Sequence, residues 1–297
     1  MSSLADGWTE DYAAAALQEV CLRWRFDASS RSLLRFGTNA VYRVGKVVIR
    51  IARPGRSINE IQQEVALAQF LAQKDFPAMR LAGVEQPLPA AGTFASAWLW
   101  IDHDRGARVN EFDFGRLLRR FHRVTDAFDY PLPSWDQLAR ISDRIALMKR
   151  NPLFSSIEVA AVLSWYDEVA DDLKHTGSTL GYGPIHGDAH TGNVLVTDAG
   201  PILIDFDHLC TGPREWDLIP AALAFRRFGS EEAAYRNLLR GYDIAEVEGW
   251  DIYVRLRELS AATWLFSMES GTSRSEESER RLRVFLGDST PPMWSAK

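Results

Sequence analysis

Three side chains between residues 184 and 207 stand at spacings that chemistry can use: Asp188, Asn193 and Asp205. A carboxylate in a polar loop can orient a hydroxyl and take its proton. An amide oxygen and a second carboxylate are hard donors that can hold Mg²⁺ against phosphates. Together they are the parts of a phosphoryl-transfer site, where catalysis is mostly positioning and charge neutralisation. Two short apolar runs, 193–197 and 201–206, flank Asp198-Ala199-Gly200 and predict a tight β-hairpin with a three-residue turn. That hairpin can bring the three side chains to one end. His186 and His190 flank Asp188 and are read as scaffolding of its loop.

The interval from Asp188 to Asn193 is the D-x-x-x-x-N of a kinase catalytic loop, and Asp205-Phe206-Asp207 stands where kinases carry D-F-G. The form His186-Gly187-Asp188-x-His190-x-x-Asn193 resembles the aminoglycoside phosphotransferase and choline kinase-like family of small-molecule kinases. The resemblance implies an α+β, bilobal, protein-kinase-like fold. Residues 1–100 would form a nucleotide-binding lobe, a small antiparallel sheet with one main helix, and the hinge would fall at about 97–104. Residues 105–297 would form a larger, mostly helical lobe with the catalytic hairpin and the acceptor site. ATP or GTP with Mg²⁺ is the implied donor, Asp188 the catalytic residue, Asn193 and Asp205 the metal ligands. Asp217, in Arg214-Glu-Trp-Asp-Leu, matches the family's helix aspartate that braces the catalytic loop.

Composition is compatible with such an enzyme. The chain has 297 residues, 46% hydrophobic and 25% charged, ordinary for a globular protein with a sizeable core. A formal charge of −6 leaves no basic excess for nucleic acid and suits a cationic substrate. Cys21 and Cys210 are the only cysteines and are read as lone thiols of a reducing compartment. No leader pattern and no bilayer-length apolar segment is present, so a cytoplasmic location is expected.

The elements that must position the site follow in order. Residues 9–24 predict a helix capped by Thr9. Residues 32–52 predict three strands, with a turn at Gly37-Thr38-Asn39 that can fold over phosphates through its N–H groups and the Thr38 hydroxyl. Arg50 occupies the strand slot where kinases place a lysine. It is planar and permanently charged, unlike Lys, yet it can bridge phosphate and carboxylate. Ser57 and Glu60 form a capping box for a helix to about Ala72. With Glu60 occupied by the cap, Glu64 becomes the partner for Arg50. The run 95–101 predicts the last strand before the hinge, with Trp98 and Trp100 as material for an adenine sandwich or for the core.

Beyond the hinge, 112–128 is amphipathic, with His122 on a core or capping position. Helices are predicted at 136–149 and 156–174, the second opened by a Ser155…Glu158 box. After Asp205 there is no room for a protein kinase's activation segment, so the acceptor is expected to be a small molecule. Pro213 suits a helix first turn, helices fill most of 213–287, and Ser230 is a predicted cap. Glu258, Trp264 and Glu269, with Asp207, are acceptor-site candidates: acids and aromatics for an aminoglycoside-like or other cationic antibiotic. A kinase of a primary metabolite (amino sugar, choline or homoserine) is the alternative. Two other readings stay open: a pseudokinase, supported by Arg50, and a hydrolase that uses His186, Asp188 and His190 as metal ligands.

Overall fold

The computed structural model describes residues 7–295. The chain divides into two compact units. One comprises residues 1–109, 123–132 and 192–209; the other comprises 110–122, 133–191 and 210–297. In chain order the elements are α1 (Glu10–Trp24), β1 (Arg31–Phe36), β2 (Asn39–Val44), β3 (Val47–Ala52), α2 (Ile58–Gln73), β4 (Leu88–Ala90), β5 (Thr93–Leu99), α3 (Glu111–Thr125), α4 (Gln137–Met148), α5 (Ser156–Lys174), β6 (Tyr182–Ile185), β7 (Val194–Thr197), β8 (Gly200–Leu203), β9 (Cys210–Pro213), α6 (Ile219–Arg227), α7 (Glu232–Tyr242), α8 (Trp250–Met268) and α9 (Glu276–Phe285).

The first unit is built on an antiparallel sheet in the order β1-β2-β3-β5-β4. Alternation along β3 sends Val47, Ile49 and Ile51 to one face. There they pack with Tyr42 and Val44 of β2, Ala95 and Ala97 of β5, and the α1 stripe of Ala13, Ala16, Leu17, Val20 and Cys21. Thr9 caps α1 by accepting from the Tyr12 N–H. Ser57 likewise accepts from the Glu60 N–H, but the return bond of a capping box is missing, because the Glu60 carboxylate accepts from Arg56 instead (3.0 Å). The β7–β8 hairpin belongs to this unit. Its turn is one residue shorter than expected: Thr197 pairs with Gly200, leaving only Asp198-Ala199 as the loop. The Met79 N–H donates to Leu203 O (3.0 Å) and the Leu203 N–H to Pro77 O (2.9 Å), tying the hairpin to the segment after α2.

The second unit is helical around α8, which packs on α4, α5, α6 and α9 and buries Leu256, Leu259, Ala262 and Phe266. The Ser155–Glu158 box closes reciprocally at the start of α5. Two expectations need correction here. Pro213 is not in the first turn of an α-helix; it ends β9, which pairs antiparallel with β6, and holds the N-cap position of a 3₁₀ helix, Arg214–Leu218, that leads into α6. Ser230 is not a cap, since Glu231 holds the N-cap position of α7 without a side-chain bond. Cys21 and Cys210 are free and buried, and burial first, then Asp217, pushes the Cys210 thiol up to about 12. Among the described residues no helix is long and apolar enough to cross a membrane.

Candidate active site

In the first unit, Arg50 projects from β3 into a knot of carboxylates. Its Nη1 donates to Glu64 Oε2 (3.1 Å), and its Nη2 to Asp205 Oδ1 (3.5 Å) and to Asp207. Arg56 completes the knot, donating to Glu64 Oε1 (3.1 Å) and Asp207 Oδ1 (3.2 Å). Asn39 Nδ2 donates to Asp207 Oδ2 (2.6 Å). Burial alone would lower the Arg50 guanidinium, but Asp207, Glu64 and Asp205 outweigh it and hold it above its ordinary value. Burial raises Glu64 to about 8, with Asp207 adding to the rise and Arg50 and Arg56 opposing it. Asp207 moves the other way: Arg50 and Arg56 overcome the cost of burial and keep it ionised well below the usual carboxylate range. Burial, most complete at Glu64, thus favours the neutral carboxyl there, while the two guanidiniums favour the charged form at Asp207.

Arg50, Asp205, Asp207 and Asn39 of this knot line a cavity of about 430 Å³, with Glu64 and Arg56 behind them. The remaining wall is largely apolar, including Leu34, Val41, Val48, Met79, Trp98, Leu99, Trp100, Ile101, Leu195 and Ile204, with Thr38 and Arg35 among the polar members. Trp98 is buried and donates to Ser96 Oγ (2.9 Å). Trp100 donates to Asp102 Oδ1 (2.7 Å) beneath the Arg43 guanidinium, 4.0 Å from its ring centroid. The Leu99 and Trp100 N–H groups are spent on Arg80 O and Lys46 O. The next, on Ile101, has no hydrogen-bond partner among the described residues.

The β7–β8 hairpin brings Asn193 and Asp205 together, because the Ile204 N–H donates to Asn193 O (3.0 Å). Asn193 is buried, whereas the Asp205 side chain keeps 27% of its surface open and faces Arg50 and Arg35 (3.7 Å). Asp205 has φ +67, a left-handed conformation that a residue with a Cβ rarely adopts and that marks stored strain. Both side chains offer the hard oxygen donors that Mg²⁺ takes. Among the described residues no group of three or more His, Cys, Asp or Glu could hold a metal, so the rival reading of His186, Asp188 and His190 as a hydrolase's metal ligands gains no support. A Mg²⁺ that shares its shell with nucleotide phosphates needs only one or two carboxylates, and the Asn193–Asp205 pair meets that demand.

Asp188 belongs to the second unit, in the loop after β6. The loop is held from below by Asp217, which accepts from the His186 N–H (2.7 Å), the Gly187 N–H (2.8 Å) and His122 Nε2 (2.9 Å). Tyr242 meets the other ring nitrogen of His122 (2.7 Å). Burial favours protonation of Asp217, but the bond from His122 and the charges and N–H groups around it bring the carboxyl below its ordinary value. The Trp216 indole donates to Gly187 O (3.0 Å). Gly187 has φ +81, which suits only glycine in so tight a loop. His122 thus has the core role expected of it. His190 Nε2 lies 3.8 Å from Asp188 Oδ2.

A family model described as a phosphotransferase enzyme family matches residues 32–259. The chain belongs to that family. Solved structures similar to this phosphotransferase include an amicoumacin kinase, hAmiN, in complex with AMP-PNP, Ca²⁺ and Ami, with TM-score 0.73, 18% identity, and coverage of 96% of this chain and 98% of that one. A choline/ethanolamine kinase family protein from Mesorhizobium loti aligns with TM-score 0.64, 16% identity, and coverage of 93% and 96%. A spectinomycin phosphotransferase in complex with ADP and spectinomycin aligns with TM-score 0.59, 16% identity, and coverage of 91% and 92%. At these identities the likeness is one of fold, and it extends the antiparallel N-terminal sheet and helical C-terminal region to the kinase-like class. No curated protein matches the sequence.

The three acids among the acceptor-site candidates of the phosphotransferase are each engaged in other contacts. Asp207 is bound into the Arg50 knot of the first unit. Glu258 is fully buried, bonded to Arg227 and 3.4 Å from Arg226. Glu269 is engaged at the start of α9, accepting from the N–H of its N-cap Ser275 (3.1 Å) and from the Ser278 hydroxyl. Trp264 is half-exposed on α8. Two arginines escaped the sequence reading: Arg56, which braces Glu64 and Asp207, and Arg257, which donates to Asp188 Oδ1. Neither lies in a motif, though Arg56 immediately precedes the Ser57 cap.

Proposed function

We propose that this phosphotransferase is a kinase of a small-molecule hydroxyl, with Mg·ATP or Mg·GTP as donor. The observation that carries the reading is the Arg50–Asp205–Asp207 cluster in the wall of the apolar cavity, with Glu64 bonded to Arg50 behind it. An apolar chamber of that volume suits a purine and ribose. The fixed guanidinium and the exposed face of Asp205 suit phosphates and their cation. Thr38 and Asn39 would turn over the phosphates, and the Ile101 N–H, without a partner among the described residues, suits an adenine edge with Trp98 and Trp100 nearby. Asn193 and Asp205 would hold Mg²⁺, which when bound neutralises charge on the phosphates. Asp188 orients the acceptor hydroxyl and takes its proton, and Asp217 with His122 and the His186 N–H fixes the loop that presents it. The intact Asp188, Asn193 and Asp205 set favours catalysis over a pseudokinase. Such donors are cytoplasmic, where we place the enzyme.

For the acceptor, the amicoumacin and spectinomycin neighbours support an antibiotic, and the choline/ethanolamine kinase neighbour supports a metabolite. The engagement of Glu258, Glu269 and Asp207 elsewhere speaks for the metabolite class, because a polycation needs open acids. The donor site is tested by Asp205→Ala. Its affinity for Mg·ATP, measured by calorimetry, is expected to fall at least about tenfold, the worth of a lost charge-assisted bond. Its affinity for metal-free ATP should change little. An unchanged Mg·ATP affinity would remove Asp205 from the metal site.

A further inference from the structure

The surroundings of Asp188 within the second unit are basic. Arg257 on α8 donates to Asp188 and stacks over Trp216, 5.1 Å from the ring centroid. One turn on, Ser260 carries α8 against α4: Arg144 Nη1 donates to Ser260 O (3.0 Å) and Oγ (3.4 Å), and Ser260 Oγ donates to Gln137 Oε1 (3.4 Å). Arg140 precedes Arg144 by one helical turn on the same face. Arg144, held on Ser260 one helical turn from Arg257, lies within reach of the charges of Arg140 and Arg257, and of the three it is Arg257 that contacts Asp188. Only Arg257 has a carboxylate partner; among the described residues neither Arg140 nor Arg144 has one within 4.0 Å. Burial first, then the charges of Arg140 and Arg257, lowers Arg144 from its ordinary value. An uncompensated, partly buried guanidinium costs stability unless something negative answers it.

We propose that the acceptor carries an anionic group, a carboxylate or a phosphate, which binds at Arg140 and Arg144 while its hydroxyl meets Asp188. The proposal rests on the kinase reading and names the acceptor class of that same site. Two guanidinium forks suit the planar pairs of oxygens of such a group. A polycationic aminoglycoside would meet the like charges of Arg140 and Arg144, and the candidate acids Glu258 and Glu269 are bound elsewhere.

The test is a thermal-shift screen of the full chain at fixed ionic strength. The probes are hydroxycarboxylates, sugar phosphates, neutral polyols and aminoglycosides, and each hit is followed by calorimetry. Tight binders are expected among the first two groups, and which of the two prevails separates carboxylate from phosphate. In Arg144→Gln and Arg140→Gln their affinity should drop roughly 10- to 100-fold, as for lost bonds to a charged group. Arg144→Lys should retain part of it, and Arg255→Gln, whose arginine pairs with Glu168 and Asp172, should retain all. Mg·ADP binding, unchanged in every variant, shows that each is folded and keeps the donor site separate from the question. Aminoglycosides as the tightest ligands, anionic hits indifferent to Arg144, or no anionic hit at all would overturn the proposal while leaving the kinase reading intact. Failure of the wild-type chain to bind Mg·ADP would overturn both.

Discussion

Arg50 does with one planar fork what a lysine does at a point: it touches Glu64, Asp205 and Asp207 at once. The consequence falls on Glu64, which burial raises to about 8 against an ordinary value of 4.5. A carboxyl whose folded value lies above its unfolded one binds a proton on folding between those two values. Stability is then fullest below about 4.5 and is lost as the pH rises through about 8. Asp207, held low, acts only at the acid extreme and does not reach this window. Urea unfolding at about pH 5 and about pH 9 should therefore show the wild-type chain losing stability with rising pH relative to Glu64→Gln. The same pH dependence in both would show that Glu64 is ionised throughout. The pairing of Arg50 with Glu64 was legible because the cap at Ser57 fixes the phase of α2 and Glu64 follows one turn after Glu60. The second arginine was not legible: Arg56 lies in an irregular segment, where no periodicity reports a side chain's direction.

At the scale of elements, the loop of Asp188 depends on helices far from it in sequence. His122 on α3 bonds Asp217, and Tyr242 at the end of α7 bonds His122, where two glycines let the helices cross backbone to backbone. A Cβ on Gly241 would lie 1.9 Å from Phe112 O, and one on Gly115 would lie 2.2 Å from Leu238 O. Gly241→Ala should force the helices apart and cost about 1–3 kcal/mol, the usual range for an overpacked contact. Chemical denaturation measures that loss, and a variant as stable as wild type would show that the crossing is looser than drawn. The helices themselves were readable, since Thr9, Ser57 and Ser155 cap where their side chains forecast. Their partnerships were not, because neither glycine carries an apolar signal. β9 was missed for a related reason: four residues ending in Pro213 have too little pattern to declare a strand, and only pairing with β6 makes one.

At the scale of the molecule, the motif we propose as catalytic was the most legible feature in the sequence. Asp188, Asn193 and Asp205 sit at intervals set by one loop and one hairpin, so spacing alone constrains them. The acceptor acids were the least legible, because Glu258 and Glu269 are spent on Arg227 and on the α9 cap, contacts that only tertiary packing reveals. The family match over residues 32–259 joins both units into one phosphotransferase, and the central claim is that Asp188 drives transfer to a hydroxyl. The measurement that tests it is Mg·ATP-dependent phosphorylation of a panel of small hydroxylated compounds by the purified chain, wild type beside Asp188→Asn. The expected result is turnover on one chemical class that falls by roughly 10²- to 10⁴-fold in the variant, the usual worth of a general base, with Mg·ATP affinity retained. Turnover by Asp188→Asn at the wild-type rate would contradict the account.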